Sequence, residues 1–163
     1  MIIVGIDPGL KGGIAFLDNG ILLDAYPTPV IEEKFTKNGK ISKRKILDLQ
    51  EIVKLMKSYN PDIGFLERVA ARPGQGSTSM FRFGTGWGEL RGIMAALDIK
   101  FELVTPQSWK RHFQILSDKE ASLELARELW PDHTQKCFRL KKHDGLAEAA
   151  LLGKYGFEMT VKR

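Results

Sequence analysis

MIIVGIDPGLKGGIAFL, residues 1–17, decides the fold of this chain. Ile2 to Ile6 is an apolar run that delivers Asp7 straight into Pro8-Gly9, and a second run, Ile14-Ala15-Phe16-Leu17, resumes after Gly12-Gly13. Short apolar runs bounded by Pro and Gly read as strands, so the stretch predicts a β-hairpin with a carboxylate at the mouth of its first strand. Working outward, strands are expected at about 2–7, 13–18 and 21–26, a meander with short glycine-containing turns. Residues 27–42 read as a polar, basic loop. A helix is expected from an N-cap at Ser42 to Ser58, because Ile46, Leu49, Ile52, Val53 and Met56 recur at three and four.

Asn60-Pro61-Asp62 ends that helix, and a short buried strand, Ile63 to Leu66, then presents Glu67. Residues 70–78 are turn-rich. A helix is expected from Ser79 to Leu97, a strand over Phe101 to Val104, and a short helix opened by Thr105-Pro106. Ser117-Asp118-Lys119-Glu120 resembles a capping box for a helix over 118–130, a loop fills 131–142, and a last helix starts at His143 or Asp144 and stops before Gly156. The order β-β-β-α-β-α-β-α-α is that of a mixed α/β domain with helices packed on a central sheet. We read one domain over 1–156 and a short frayed tail over 157–163.

Composition narrows the partner. The 163 residues are 43% hydrophobic and 28% charged, which fits a globular domain with its own core. No apolar stretch approaches the roughly 20 residues a membrane helix needs, so no membrane partner is expected. Asp7 interrupts any secretory-signal pattern, and the one cysteine, Cys137, fits a reducing compartment; the expected location is the cytoplasm, or the host cytoplasm for a viral protein. The formal net charge of +5 favours a polyanion. Its basic residues crowd 34–45 and the C-terminal third.

Three places put an acid where chemistry wants one. Asp7 and Glu67 end strands, and Asp144 and Glu148 lie four apart on the last helix, one turn apart on one face. The residues around that pair, Gly145, Leu146, Ala147, Ala149 and Ala150, are small and apolar, so the helix can lie close on the sheet. Each acid alone has a plain reading beside the chemical one: Asp7 as a turn residue, Glu67 as a partner for Arg68, Asp144 as an N-cap and Glu148 as a solvated acid. Together on an apolar floor they repel, and a divalent cation relieves that repulsion. Two Mg²⁺ ions about 3.5–4 Å apart clamp the attacking and leaving oxygens of a phosphoryl displacement. A carboxylate cluster in a basic protein therefore points to metal-assisted cleavage of a phosphodiester.

VGIDPGLKGGIAF (4–16), FLERV (65–69), RPGQGSTSMFRFGTGWGELRGI (72–93), VTPQSWK (104–110) and KKHDGLAEAALLGKYG (141–156) together resemble the RuvC group of Holliday-junction resolvases, and most closely its bacteriophage-type members. The resemblance spans about residues 2–155. It implies an RNase H-like fold with a mixed five-stranded sheet flanked by helices, a homodimer, and Mg²⁺- or Mn²⁺-dependent nicking of two strands at a four-way junction. It maps Asp7, Glu67, Asp144 and Glu148 onto the family's metal-binding acids. Lys110 and Lys119 match its basic residues near the scissile phosphate.

The chain departs from the family pattern in places. Asp144 and Glu148 are four apart where many members space three. His143 is a further candidate ligand, since some members use His there. Where bacterial members carry an aromatic wedge after the second acid, this chain has Arg68-Val69-Ala70-Ala71, which leaves Phe81 and Phe83 for that role.

The loop ARPGQGSTS is expected to meet DNA through Arg72, Gln75 and Ser77, with Arg82, Lys110, Arg111, Lys119, Lys141 and Lys142 as further phosphate contacts. Gly84-Thr85-Gly86-Trp87-Gly88 satisfies no nucleotide-loop pattern, so no nucleotide cofactor is expected; its small residues suit close helix packing across a dimer. Met80, Phe81, Phe83, Trp87, Leu90, Ile93 and Met94 form an apolar stripe whose first reading is core. Trp109 reads as core with a basic rim, and segment 34–45 as a solvated basic loop within reach of a DNA arm. The leading expectation is a structure-selective endonuclease for branched DNA. The alternative is a non-cleaving junction-binding protein of the same fold. A general RNase H or flap nuclease stays open. An actin-like or sugar-kinase module needs two such domains, for which the chain is too short.

Overall fold

A computed structural model describes residues 1–70, 74, 76–115 and 119–162, apart from the side chain of Lys119. Strands β1 (Ile2–Asp7), β2 (Gly13–Asp18) and β3 (Ile21–Pro27) form the expected antiparallel meander. β6 (Ile63–Glu67) adds parallel to β1 and β7 (Lys100–Val104) parallel to β6, giving a five-stranded sheet in the order β3-β2-β1-β6-β7. Helices cover both faces. On one face, α1 (Leu49–Tyr59) and α2 (Ser77–Ala96) bury Val4, Ile6, Ile14, Phe16 and Leu66. On the other, α3 (Pro106–His112), α4 (Lys119–Leu129) and α6 (Asp144–Val161) bury Ile3, Ala15, Leu17 and Phe65.

The two-residue period of a strand explains this division. In β1, Ile3 belongs to the α6 side and Val4 and Ile6 to the α2 side; in β6, Phe65 belongs to the α6 side and Leu66 to the α2 side. By the same parity Gly5, Asp7 and Glu67 stand on the α6 side. Helix α6 lies almost against the sheet there. A Cβ on Gly5 would sit 2.1 Å from the Ala149 carbonyl oxygen, and one on Gly13 would sit 2.6 Å from that of Gly145. Only glycine allows backbones this close.

Residues 30–47 differ from the sequence reading. The expected basic loop over 27–42 and the first turns of the expected helix are an antiparallel ribbon, β4 (Val30–Lys37) and β5 (Lys40–Leu47), which forms a separate two-stranded sheet. Asn38 (φ 51°) and Gly39 (φ 71°) make its two-residue turn, the left-handed pair that a type I′ hairpin needs. Helix α1 accordingly starts at Leu49. Its N-cap is Asp48, whose side chain accepts a hydrogen bond from Glu51 N at 3.1 Å, and Ser42 lies on the ribbon. The helix ends at Asn60-Pro61-Asp62 as expected, with Asn60 closing it in a left-handed conformation.

Other boundaries move less. Helix α2 begins at Ser77. The expected loop over 131–142 contains a 3-10 turn (Pro131–His133), a short helix α5 (Thr134–Cys137) and the start of a second 3-10 turn (Lys141–His143). Helix α6 passes through Gly156 to Val161, so most of the expected frayed tail is helical. Gly156 serves packing and not termination, because a Cβ there would lie 2.1 Å from the Phe65 ring. No helix among the described residues is long and apolar enough to cross a membrane.

Candidate active site

Parallel pairing of β1 with β6 matches Ile6 to Leu66, and the next residue on each strand is an acid, Asp7 and Glu67. Neighbouring strands run about 4.8 Å apart, so two carboxylates leave adjacent strand ends on the same face. The α6 helix supplies the other two. It starts at Asp144, and Gly145 sits so close over the β1–β2 turn that a Cβ there would lie 2.5 Å from the Lys11 carbonyl oxygen. Glu148 follows one turn on, next to Ala149, which touches Gly5. Strand register and helix packing thus carry Asp7, Glu67, Asp144 and Glu148 to one end of the sheet. All four are half-buried.

Polar neighbours hold Glu67 and Glu148. The indole Nε1 of Trp109 donates to Glu67 Oε2 at 3.1 Å, and that of Trp87 donates to the Glu67 main-chain oxygen at 3.1 Å. Glu67 is therefore pinned from both faces of the sheet, its side chain by α3 and its backbone by α2. Lys110 Nζ lies 3.0 Å from Glu148 Oε1, to which Ser122 Oγ also donates at 3.5 Å. The Lys110 ammonium stands 5.0 Å from the centre of the Trp109 ring, which links the two clamped acids through one α3 dipeptide. Among the described residues, no group of three or more His, Cys, Asp or Glu side chains is arranged to hold a metal ion. The donor set itself, four carboxylates with no thiolate, has the chemistry of a site for a hard divalent cation.

Beside Glu67 opens a cleft of about 580 Å³ between the end of β6 and the starts of α2 and α3. Arg68 and Gln107 give it polar walls, and Met80, Phe83 and Pro106 apolar ones. Phe83 also packs at Gly9, with its Cε2 3.3 Å from where a Cβ would be. Phe81 points the other way and is 78% exposed. The apolar stripe of α2 thus divides: Leu90, Ile93 and Met94 are core, Met80 and Phe83 face the cleft, and Phe81 faces solvent.

The expected phosphate contacts are spread around this end of the fold. Ser77 opens α2 and is exposed, as are Arg82 and Arg111. Lys141 and Lys142 are exposed on the turn preceding α6, where Lys141 pairs with Glu120 at 2.9 Å. Lys110 differs from these, because it faces inward onto Glu148. Arg72, Gln75 and the side chain of Lys119 lie outside the described residues. His143 Nδ1 accepts from Leu140 N at 3.5 Å; burial and then the neighbouring Lys142 hold its imidazole below the ordinary histidine range.

Trp87, Trp109, Ser122, Arg68 and Gln107 escaped the sequence reading as site residues. The signal for Trp109 was present, since a buried indole N–H needs an acceptor and Glu67 had been placed at a strand end. Ser122 carried no such signal on an amphipathic helix.

No protein-family model matches the chain. No curated protein matches it in sequence. Solved structures do match in fold. The Thermus thermophilus RuvC structure aligns with a TM-score of 0.60 at 14% identity, over 99% of this chain and 97% of that one. Fowlpox virus resolvase, solved with its substrate Holliday junction DNA, aligns with a TM-score of 0.52 at 16% identity over 99% of both chains. The yeast mitochondrial Holliday junction resolvase Ydc2 aligns with a TM-score of 0.52 at 14% identity, over 98% of this chain and 79% of that one. The chain shares with them the RNase H-like fold of these resolvases, a mixed five-stranded sheet flanked by helices, and at such identities the likeness is one of fold.

Proposed function

We propose, from the fold shared with Holliday junction resolvases, that this protein is a metal-dependent, structure-selective endonuclease acting on four-way junctions and related branched DNA. Two of the solved neighbours, from Thermus thermophilus and fowlpox virus, were determined with junction DNA. The observation that carries the reading is the pair Asp7 and Glu67, the residues that follow the last registered pair, Ile6 and Leu66, at the ends of β1 and β6 beneath the helix bearing Asp144 and Glu148. Nothing in folding calls for two acids side by side at the edge of an apolar face, where desolvation disfavours their charge.

In this reading Asp7, Glu67, Asp144 and Glu148 hold Mg²⁺ or Mn²⁺, two ions per site. When bound, the cations supply Lewis acidity to the attacking water and to the departing 3′ oxygen. The chain's own residues do the rest. Trp109 fixes the orientation of the Glu67 carboxylate. Lys110 pairs with Glu148 in the free protein, and would stand close enough to neutralise charge on the scissile phosphate if a bound cation took Glu148. Arg82, Arg111, Lys141 and Lys142 position the phosphate backbone without reading sequence. The cleft between Arg68, Phe83 and Gln107 has the size and mixed lining to take a nucleotide displaced at the branch.

A homodimer belongs to the proposal, with the exposed side of α2 as the contact. Gly84, Gly88 and Gly92 recur every fourth residue there, each facing open space, next to the exposed Phe81. A glycine in a helix interior costs about 1 kcal/mol relative to alanine, so three on one open face suit a backbone that approaches from outside.

The test is nicking of a synthetic four-way junction by the purified protein with Mg²⁺ and with EDTA, alongside three-way, flap and linear DNAs. Metal-dependent cutting of the four-way form, lost in Glu67→Gln while binding persists, supports the reading. A second reading, junction binding without cleavage, is favoured by one observation: the described side chains form no three-ligand group. Tight junction binding with no product in Mg²⁺ or Mn²⁺ would select it.

A further inference from the structure

The β4–β5 ribbon takes no part in the site above, and its charge is unlike that of the rest of the chain. Residues 30–47 carry six basic side chains (Lys34, Lys37, Lys40, Lys43, Arg44, Lys45) against Glu32 and Glu33, a net charge of +4 in a protein whose total is +5. The remainder of the molecule is close to neutral. Both acids are already engaged within the ribbon, Glu32 by Lys43 at 3.3 Å and Glu33 by Arg44, which also stacks over Phe35. Lys34, Lys37, Lys40 and Lys45 are exposed and pair with no carboxylate among the described residues.

The register makes this arrangement costly for the free protein. Lys34 stands directly opposite Lys43, and Lys37 directly opposite Lys40. Like charges facing each other across an antiparallel pair destabilise it, and an isolated two-stranded ribbon is marginal to begin with. Its base is nevertheless well anchored. Leu47 is buried in the α2-side core within reach of Gly86, and Asp48 N donates to the Pro29 oxygen at 2.9 Å. The base of the ribbon therefore leads into α1 and packs through Leu47 against α2, the helix whose first turns line the cleft beside Glu67.

We infer that this ribbon is an arm clamp: it enters a groove of a duplex arm flanking the branch and neutralises phosphates from both of its faces, through Lys34, Lys43 and Lys45 on one and Lys37 and Lys40 on the other. The inference rests on the branched-DNA reading above and adds the element that grips DNA away from the acids. Charge selects the occupant. A second copy of the ribbon would bring +4 against +4, whereas duplex DNA offers one phosphate per about 1.7 Å of axis. Size agrees as well. Eight-residue strands extend about 27 Å, and a two-stranded ribbon fits the major groove of B-DNA. Lysines at its tip make the contact electrostatic and indifferent to base sequence.

The experiment compares the protein with a Lys34→Ala/Lys37→Ala/Lys40→Ala variant and a Lys→Arg variant at the same positions. Binding to four-way junctions is measured by fluorescence anisotropy across a salt series. One junction has arms of two to three helical turns, and another has arms trimmed to about one turn, roughly 10 base pairs. On long arms the alanine variant should lose about one unit of log–log salt slope per lysine removed, about three in all, and the arginine variant should keep the slope. On trimmed arms all three proteins should bind alike. The free alanine variant should melt no lower than the parent, since repulsion is relieved. An unchanged slope on long arms, or equal losses on both arm lengths, overturns the clamp and leaves the nuclease reading intact. A parent protein that binds neither junction overturns both.

Discussion

The Lys110 ammonium stands 3.0 Å from Glu148 Oε1, and both side chains are largely shielded from water. An acid proposed to hold metal is thus occupied by the cation proposed to meet phosphate. If the pair is an exchange, with Glu148 passing to metal and Lys110 to DNA, then Lys110→Met should separate two effects. Single-turnover cleavage should fall about 10²- to 10³-fold, the cost of removing one charge-stabilising group from a reacting centre. Mn²⁺ affinity of the free protein should rise, because Glu148 is released. A lysine serving only packing would lower the melting temperature and leave both readouts in place.

Glu67 is held at its side chain by Trp109 and at its backbone by Trp87. Glu67→Gln should abolish cleavage with junction affinity kept. Trp109→Phe keeps one aromatic ring and removes the indole N–H together with the pyrrole atoms that carry it; with the fold checked by a thermal melt, its effect should be the smaller loss typical of a group that orients a ligand, about 10- to 100-fold in metal affinity or rate. Saturating Mg²⁺ should recover part of that loss, whereas it should not rescue Glu67→Gln. Equal rates for Trp109→Phe and the parent at limiting Mg²⁺ would remove the positioning role.

Particular residues show what the sequence disclosed. Strands β1, β2, β3 and β6 are buried on at least one face and bounded by Gly, Pro or Asn, so their apolar runs were legible, and with them Asp7 and Glu67 at strand ends. The ribbon was not, because it is solvated on both faces and its alternation is drowned by lysines. Asn38-Gly39 was the available hairpin signal. Ile46 extended a false helical stripe into β5 because it stands three residues before Leu49, where α1 begins. Gly156 read as a stop, although its role is to let Phe65 lie against α6. Periodicity reports burial on a face; it says nothing of a ring that replaces a Cβ, or of an indole that turns to an acid 42 residues away in the sequence.

The exposed glycines of α2 give opposite expectations for a monomer and a dimer. On a free helix face, Gly84→Ala/Gly88→Ala/Gly92→Ala should stabilise the protein, by up to about 1 kcal/mol per site. On a face that receives a second α2, the added methyls should push the helices apart and shift the population to monomer. Light scattering across a dilution series, paired with thermal melts, distinguishes the two. A stabilised variant with unchanged mass would remove α2 as the contact.

Asp24 offers a test of stability away from the acids of the site. It is buried on β3, where it accepts from Ala25 N at 2.9 Å, from the Tyr26 hydroxyl at 2.9 Å and from Lys136. Tyr26 in turn meets the Tyr59 hydroxyl at 2.6 Å, and Tyr59 stacks on Phe16 at 4.0 Å, so the network joins the sheet to α1 and α5. Burial alone would raise the Asp24 carboxyl, but the hydrogen bonds from Lys136, Tyr26 and Ala25 outweigh it and hold the group below 3.8, its ordinary value. A carboxyl depressed on folding stabilises the folded state at every pH above its unfolded value, and that stability drains away as pH falls from there through the folded value. Asp24→Asn should therefore cost about 1.5–3 kcal/mol in urea unfolding at pH 7, the usual range for losing hydrogen bonds to a charged group. The gap between variant and parent should stay constant from pH 7 down to about pH 5 and narrow below about pH 4. A gap that is the same at pH 3 and pH 7 would mean that Asp24 stabilises the fold by shape and not by charge.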